Sequence, residues 1–418
     1  MFIPSANHGL RGVISVPADK SISHRAVILS ALADKPVEVS NFLNAQDCLS
    51  TVACMRSLGA DIKIHGDKVL IKPKPLHAPL EILDAGNSGT TARLLMGILA
   101  AQNFSSKIAG DASLSKRPML RVIKPLSLMG ANISARDENF LPVNISPAKL
   151  HAINYELPVA SAQLKSAILL AGLFAEGTTS VIEPAPSRDH TEKMLAAFGA
   201  PIKKSGNVIS ISPAELHAPD FISVPNDISS AAFFIVLASI LPDSDLTIKN
   251  VGVNETRTGI IDVLKMMGAS IEIFNERISG GEPLADLKII SANLRGVEFG
   301  GEFIPRLIDE IPIIAVAAAF AEGTTIIRDA HELRIKESDR LAAIVEEFNK
   351  ISPDTFSATD DTLIIRGSRK KFRAQCRTRA DHRIAMALAI FGTAAEGVTL
   401  DDTACVNISF PNFFELLN

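Results

Sequence analysis

Two sequence units recur along this chain at a spacing that fits small layered subdomains, and that repetition limits the folds open to it. One unit is a helix that ends in Gly-Ala and runs into a strand. It appears as MRSLGADIKI (55–64), PLSLMGANIS (125–134), MLAAFGAPIK (194–203) and VLKMMGASIEI (263–273). The glycines Gly59, Gly130, Gly199 and Gly268 stand about 70 residues apart, and each suits the left-handed position that closes a helix. A degenerate fifth copy, IVEEFNKISPDTFSA, offers Asn349 in the glycine's place. The other unit is an Ala-rich apolar helix, a small polar turn and a β-branched strand. Three of its copies carry Ala-Glu-Gly, starting at Ala175, Ala321 and Ala395. Looser copies begin at Ala31, Leu99 and Leu237, making six in 418 residues.

The reading is an α/β (α+β) chain of six subunits, three to a domain. No Gly/Ser linker marks a boundary. The third repeat ends near SVPNDISS, which places one crossing between domains at 226–229. If the first strand, Gly12 to Pro17, pairs with the last repeats, the other crossing falls at 18–20. The expected domains are therefore 20–228 and a discontinuous 1–19 with 229–418.

Six long helices start within the segments 18–33, 86–101, 159–173, 225–240, 308–321 and 380–392. Each opens on a polar turn and continues almost wholly apolar, the pattern of a buried helix. Asp19, Asn87, Ser161, Asp227, Asp309 and Asp381 are residue types suited to capping their starts. Capping leaves unexplained why Lys20, Arg25, Arg93, Lys165 and Arg383 sit at or beside these starts. A buried cation there opposes the helix dipole, at about 0.3–1 kcal/mol, and needs a partner. An anion held by free N–H groups and those cations satisfies both requirements.

Further basic groups lie in loops. GDASLSKRPM (110–119) carries Lys116 and Arg117, Ser187-Arg188-Asp189-His190 precedes another helix, and HELRIKESDR (331–340) packs Arg334, Lys336, Glu337, Asp339 and Arg340 into ten residues. A Lys336–Arg340 pair at i,i+4 is repulsive until an anion relieves it. GNSGTT (86–91) suits a phosphate-cradling nest.

The net charge is −4, from 46 acidic against 42 basic residues. It argues against non-specific nucleic-acid binding, which rests on neutralising phosphates. Neither dinucleotide nor NTP-binding glycine motifs are present. Cys48, Cys54, Cys376 and Cys405 fit neither a zinc site nor a disulfide framework, so they read as buried thiols of a cytoplasmic protein. The longest apolar stretches are about half a membrane span.

In their joint order, DKSISHRA, GNSGTTARL, KRPM, SAQLKSA, SRDH, DEIP, LRIKESDR, DHRIAMALA and the terminal SFPNFFELL resemble the 5-enolpyruvylshikimate-3-phosphate (EPSP) synthases over the full length. The resemblance implies two domains of three βαβαββ repeats each, with buried parallel helices (an inside-out α/β barrel) and a cleft between them. It also implies transfer of enolpyruvyl from phosphoenolpyruvate to the 5-hydroxyl of shikimate 3-phosphate, releasing phosphate, in chorismate and aromatic amino-acid biosynthesis. It implies a monomer with no cofactor, metal, nucleic acid or membrane partner.

Carried over by motif, Lys20, Ser21, Arg25, Ser161, Ala162, Gln163, Asp309 and Lys336 hold shikimate 3-phosphate, and Ser187 or Arg188 completes its phosphate site. Lys20, Gly89, Arg117, Gln163, Arg340 and Arg383 hold phosphoenolpyruvate. Asp309 takes the hydroxyl proton, and Glu337 with Lys20 protonates the methylene. Ala162 stands where many relatives have Ser, a lost donor for which Arg188 can compensate. The related UDP-N-acetylglucosamine enolpyruvyl transferases usually carry a Cys in the loop GDASLSKRPM, which has none.

Overall fold

The computed structural model describes residues 1–6, 8–368 and 370–417. They form two compact units. One, here the N-half unit, comprises Ala18–Pro225 and the short segment Ile278–Glu282. The other, the C-half unit, comprises Met1–Pro17, Asn226–Arg277 and Pro283–Asn418. Nothing in the sequence signalled that Ile278–Glu282 would leave the half of the chain in which it lies.

Each unit is built around three buried helices. In the N-half unit these are Lys20–Leu32, Gly89–Leu99 and Ala162–Gly172. In the C-half unit they are Ile228–Ile240, Ile311–Phe320 and His382–Ala394. Helices apolar on nearly every face cannot lie on a surface, so the sheets surround them. Close packing needs small residues. A Cβ on Gly97 would lie 2.3 Å from the Ala167 carbonyl oxygen, which lets two of these helices meet backbone to backbone.

The repeats reappear as sheets. In the N-half unit the edge strands Phe221–Ser223, Leu83–Asp84 and Asn154–Glu156 run parallel to Val37–Ser40, Ser106–Ala109 and Thr179–Ile182. Each of those inner strands then meets an antiparallel hairpin. The C-half unit repeats the scheme around Asp245–Gly252 and Thr324–Ile327, with a three-stranded version around Val398–Leu400. The N-terminus completes this unit at two places. Arg11–Ile14 lies parallel to Asp245–Gly252, and Phe2–Ile3 lies antiparallel to Val398–Leu400. No helix among the described residues is long and apolar enough to cross a membrane.

The four repeat glycines all take positive φ, from 76° to 115°. Asn349 does not follow them. It is helical at φ −64°, inside a helix that continues through a π turn, Ile344–Phe348. Its side-chain oxygen instead accepts from Thr355 and Phe356 N–H groups, at 3.0 and 2.9 Å. Asp354 supplies the left-handed residue.

Asp286 anchors the longest hairpin, Ser270–Ser279 with Glu282–Ile290. It accepts from Lys249 at 2.8 Å, from the Asn250 N–H at 2.9 Å and from Asn275 at 3.1 Å. Burial pushes its carboxyl up, but these donors outweigh it and hold the pKa at about 2, below the ordinary 3.8. The stabilisation is therefore complete above pH 3.8 and lost as pH falls toward 2. Urea unfolding of Asp286→Asn should show a shallower loss of stability than wild type across that window.

Candidate active site

In the N-half unit the polar helix starts position a set of cations. Asp19 caps Lys20–Leu32 by accepting from the Ile22 N–H at 2.9 Å. Lys20, on the first turn, lies 3.2 Å from Asp47. One turn on, Arg25 is buried. It donates to Thr191 Oγ1 at 2.7 Å, the Ser21 carbonyl at 2.9 Å and Ser166 Oγ at 2.8 Å. None of these acceptors carries charge. Burial is the main reason its pKa falls to about 10, against the opposing pull of Glu192, Asp19 and Glu282. A buried guanidinium whose hydrogen bonds go to hydroxyls and a carbonyl can still take an anion.

Ser161 caps Ala162–Gly172 through the Leu164 N–H at 3.4 Å. Gln163, in the first turn, accepts from Arg93 at 2.7 Å and donates to Thr90 at 3.0 Å. Arg93 thus orients Gln163, a role the sequence did not reveal. Lys165 lies deeper and needs no outside anion. It meets Glu183 at 2.9 Å and Glu192 at 2.6 Å, so its positive charge is balanced internally. Ser187 is buried, and its hydroxyl donates to Glu183.

Asn87 was expected to cap Gly89–Leu99, but Ser88 does so, accepting from the Thr91 N–H at 3.1 Å. The Asn87 side chain is thereby released. Its oxygen accepts from Arg117 at 2.7 Å and its amide donates to Asp111, also at 2.7 Å. The loop arginine is in this way brought to the helix start that carries Gly89.

The C-half unit holds the acids. Asp309 was also expected to cap, but it lies in a 3₁₀ turn, Ile308–Glu310, ahead of Ile311–Phe320, and Glu310 holds the cap position. Its Oδ1 lies 3.3 Å from Arg340 Nη1 and 3.8 Å from Lys336 Nζ. Asp309 is therefore the anion that relieves the Lys336–Arg340 repulsion. Those two residues do not share a helix face: His331–Ile335 is a 3₁₀ turn and Asp339 caps a new helix at Arg340.

Arg340, 1% exposed, also donates to Glu337 at 2.7 Å and to both oxygens of Asp381, at 2.8 and 3.4 Å. Asp381 at the same time caps His382–Ala394 through the Arg383 and Ile384 N–H groups. Burial alone pushes the Glu337 and Asp381 carboxyls up, but Arg340 overrides it and holds both below their ordinary values. Burial likewise opposes the Arg340 charge, and these carboxylates raise its pKa nonetheless. Arg383 reaches the Ser229 carbonyl at 3.3 Å and lies 3.6 Å from buried Glu310.

Across residues 4–417 the chain matches the sequence model of EPSP synthase (3-phosphoshikimate 1-carboxyvinyltransferase). The chain belongs to the EPSP synthase family. A 3-phosphoshikimate 1-carboxyvinyltransferase of Desulforamulus reducens is 54% identical over 98% of this chain and 96% of its own length. One from Bacillus cereus is 50% identical over 99% and 98%. The solved EPSP synthase of Acinetobacter baumannii superposes with a TM-score of 0.92 at 44% identity, covering 99% of this chain and 96% of that one. The enolpyruvyl transferase NikO of Streptomyces tendae, 20% identical, shares the fold with a TM-score of 0.80. The EPSP synthase family thus carries the α/β repeat architecture described above.

Proposed function

We propose that this chain transfers the enolpyruvyl group of phosphoenolpyruvate to the 5-hydroxyl of shikimate 3-phosphate, releasing phosphate, as a cytoplasmic enzyme. Family membership supports the reaction. The observation that carries the assignment to particular residues is the placing of charge: Arg25 and Lys20 at one helix start, and carboxylates tied to Arg340 and Lys336 in the other unit.

Arg25, Ser21, Lys20 and the Ala162–Gly172 helix start, with Ser161, Ala162 and Gln163, take shikimate 3-phosphate. Arg188, rather than Ser187, completes its phosphate site, because the Ser187 hydroxyl is already committed to Glu183. Lys336 assists at the 5-hydroxyl. Arg117, Arg340 and Arg383, with Gly89, Gln163 and Lys20, take phosphoenolpyruvate, whose carboxylate and phosphate suit planar bidentate donors.

The chemistry follows from the bonds to be made. Protonating the methylene carbon makes C2 electrophilic. The 5-oxygen attacks C2 and gives up its proton to Asp309. The methyl group then returns a proton as the C2–O bond to phosphate breaks, restoring the methylene. Glu337 is the group proposed to lend and recover that proton. Arg340 holds the Glu337 carboxyl below its ordinary value. Binding of anionic phosphoenolpyruvate on Arg340 competes for that guanidinium and lets Glu337 gain its proton. Substrate binding thus switches the acid on.

A Cβ on Gly89 would lie 2.5 Å from Arg93 Nη1. Gly89→Ala should therefore displace Arg93 from Gln163 and raise KM for phosphoenolpyruvate about tenfold, with a smaller change for shikimate 3-phosphate. Steady-state kinetics in each substrate checks it. The reaction itself is tested by ³¹P NMR. Inorganic phosphate should grow as phosphoenolpyruvate declines only when shikimate 3-phosphate is present. Its failure to appear would refute the assignment.

A further inference from the structure

The hairpin Ser270–Ser279 with Glu282–Ile290 turns on Gly280 and Gly281, at φ 55° and 85°. Two consecutive positive φ values give the tight loop whose twist matches its strands. The hairpin joins a sheet with Asp245–Gly252, whereas its tip, Ile278–Glu282, belongs to the N-half unit. Ser279 Oγ accepts there from the Ser223 N–H at 2.8 Å. A Cβ on Gly281 would stand 2.4 Å from the Lys193 carbonyl oxygen. Glu282, 1% exposed, lies 2.8 Å from His190 Nδ1. Glutamate is seldom buried so completely without a partner that requires it there.

The last two contacts grip one helix, His190–Ala197. Its first turn is a junction. His190 meets Glu282, Thr191 accepts from Arg25 at 2.7 Å, and the next residue, Glu192, balances Lys165. We propose that Glu282 is a positioning residue for shikimate 3-phosphate: by fixing His190 it sets the first turn of this helix, and through Thr191 it aims the Arg25 guanidinium. The proposal rests on the assignment of Arg25 to that substrate. It adds a residue more than 250 positions away in sequence, on a hairpin tip that bears no substrate ligand in the scheme above.

Calorimetric titration of shikimate 3-phosphate, with KM for phosphoenolpyruvate and a melting curve alongside, tests it. Glu282→Ala should raise Kd for shikimate 3-phosphate about tenfold, while KM for phosphoenolpyruvate stays within about twofold. Glu282→Gln keeps an acceptor for a ring N–H and should recover most of the affinity. Gly281→Ala leaves Glu282 intact but unseats the tip, so it should weaken shikimate 3-phosphate in the same sense even if Glu282→Ala folds poorly. Unchanged shikimate 3-phosphate affinity in Glu282→Ala or in folded Gly281→Ala would overturn the proposal. So would equal weakening of both substrates together with a lowered melting temperature. Wild-type protein that binds no shikimate 3-phosphate would refute the functional reading itself, which separates the two failures.

Discussion

Asp309→Ala is expected to lower turnover about a thousandfold, the scale of a lost general base, while phosphoenolpyruvate still binds. Asp309 suits this role because it lies in the 3₁₀ turn ahead of a buried helix, beside two cations. Its side chain faces Lys336 and Arg340. Those two cations remain in place when the carboxylate is removed. Asp309→Asn should be nearly as inactive, because the amide keeps the shape and one acceptor but takes no proton. Single-turnover kinetics with equilibrium binding of phosphoenolpyruvate checks both variants. Turnover like that of wild type in either would exclude Asp309 as the base.

Arg340→Met should damage stability and binding together. Three carboxylates, Asp381, Glu337 and Asp309, share this one buried guanidinium. Removing one partner of a buried ion pair costs about 3–5 kcal/mol, because the remaining charges lose compensation. Phosphoenolpyruvate affinity should fall at least about a hundredfold with the loss of a bidentate, charge-assisted contact. Arg340→Lys should not restore either property, since an ammonium cannot span several carboxylates in fixed geometry.

The pH dependence has a definite sign. Glu337 and Asp381 have lowered pKa values in the folded chain. Their contribution is complete above the ordinary values of 4.5 and 3.8 and is lost as pH falls through the folded ones. The stability deficit of Arg340→Met should therefore be greatest near neutrality and shrink in acid. Denaturant unfolding at pH 7 and pH 3.5 measures it, and a deficit that grows in acid would contradict the account.

Repetition made much of the fold legible. The glycines that close helices, and the apolar stretches behind polar starts, are local signals with direct structural causes. The sequence reading departs from the structure where a residue has other work. Asn87 and Asp309 have the chemistry of caps, yet Ser88 takes one cap and a 3₁₀ turn replaces the other. Both side chains instead meet cations of the proposed site. Lys165 shows the opposite error. It has the position of an anion-binding cation, but Glu183 and Glu192, distant in sequence, neutralise it inside the core. Arg93 was singled out as a helix-start cation but not as the partner of Gln163, and Glu282 was missed, because their effects pass through a second residue. Arg93 sits one turn beyond Gly89, a spacing that could have suggested its role. Glu282 offered only a Gly-Gly turn, and its partner His190 is reached by folding alone.

The central claim is that these residues bring about a reaction between two anions and not merely the binding of either. Steady-state phosphate release, measured with each substrate alone and with both, tests it most directly. The account predicts release only with phosphoenolpyruvate and shikimate 3-phosphate together, saturating in each, and abolished in Asp309→Ala. No release with both present, or release from phosphoenolpyruvate alone at the same rate, would contradict it.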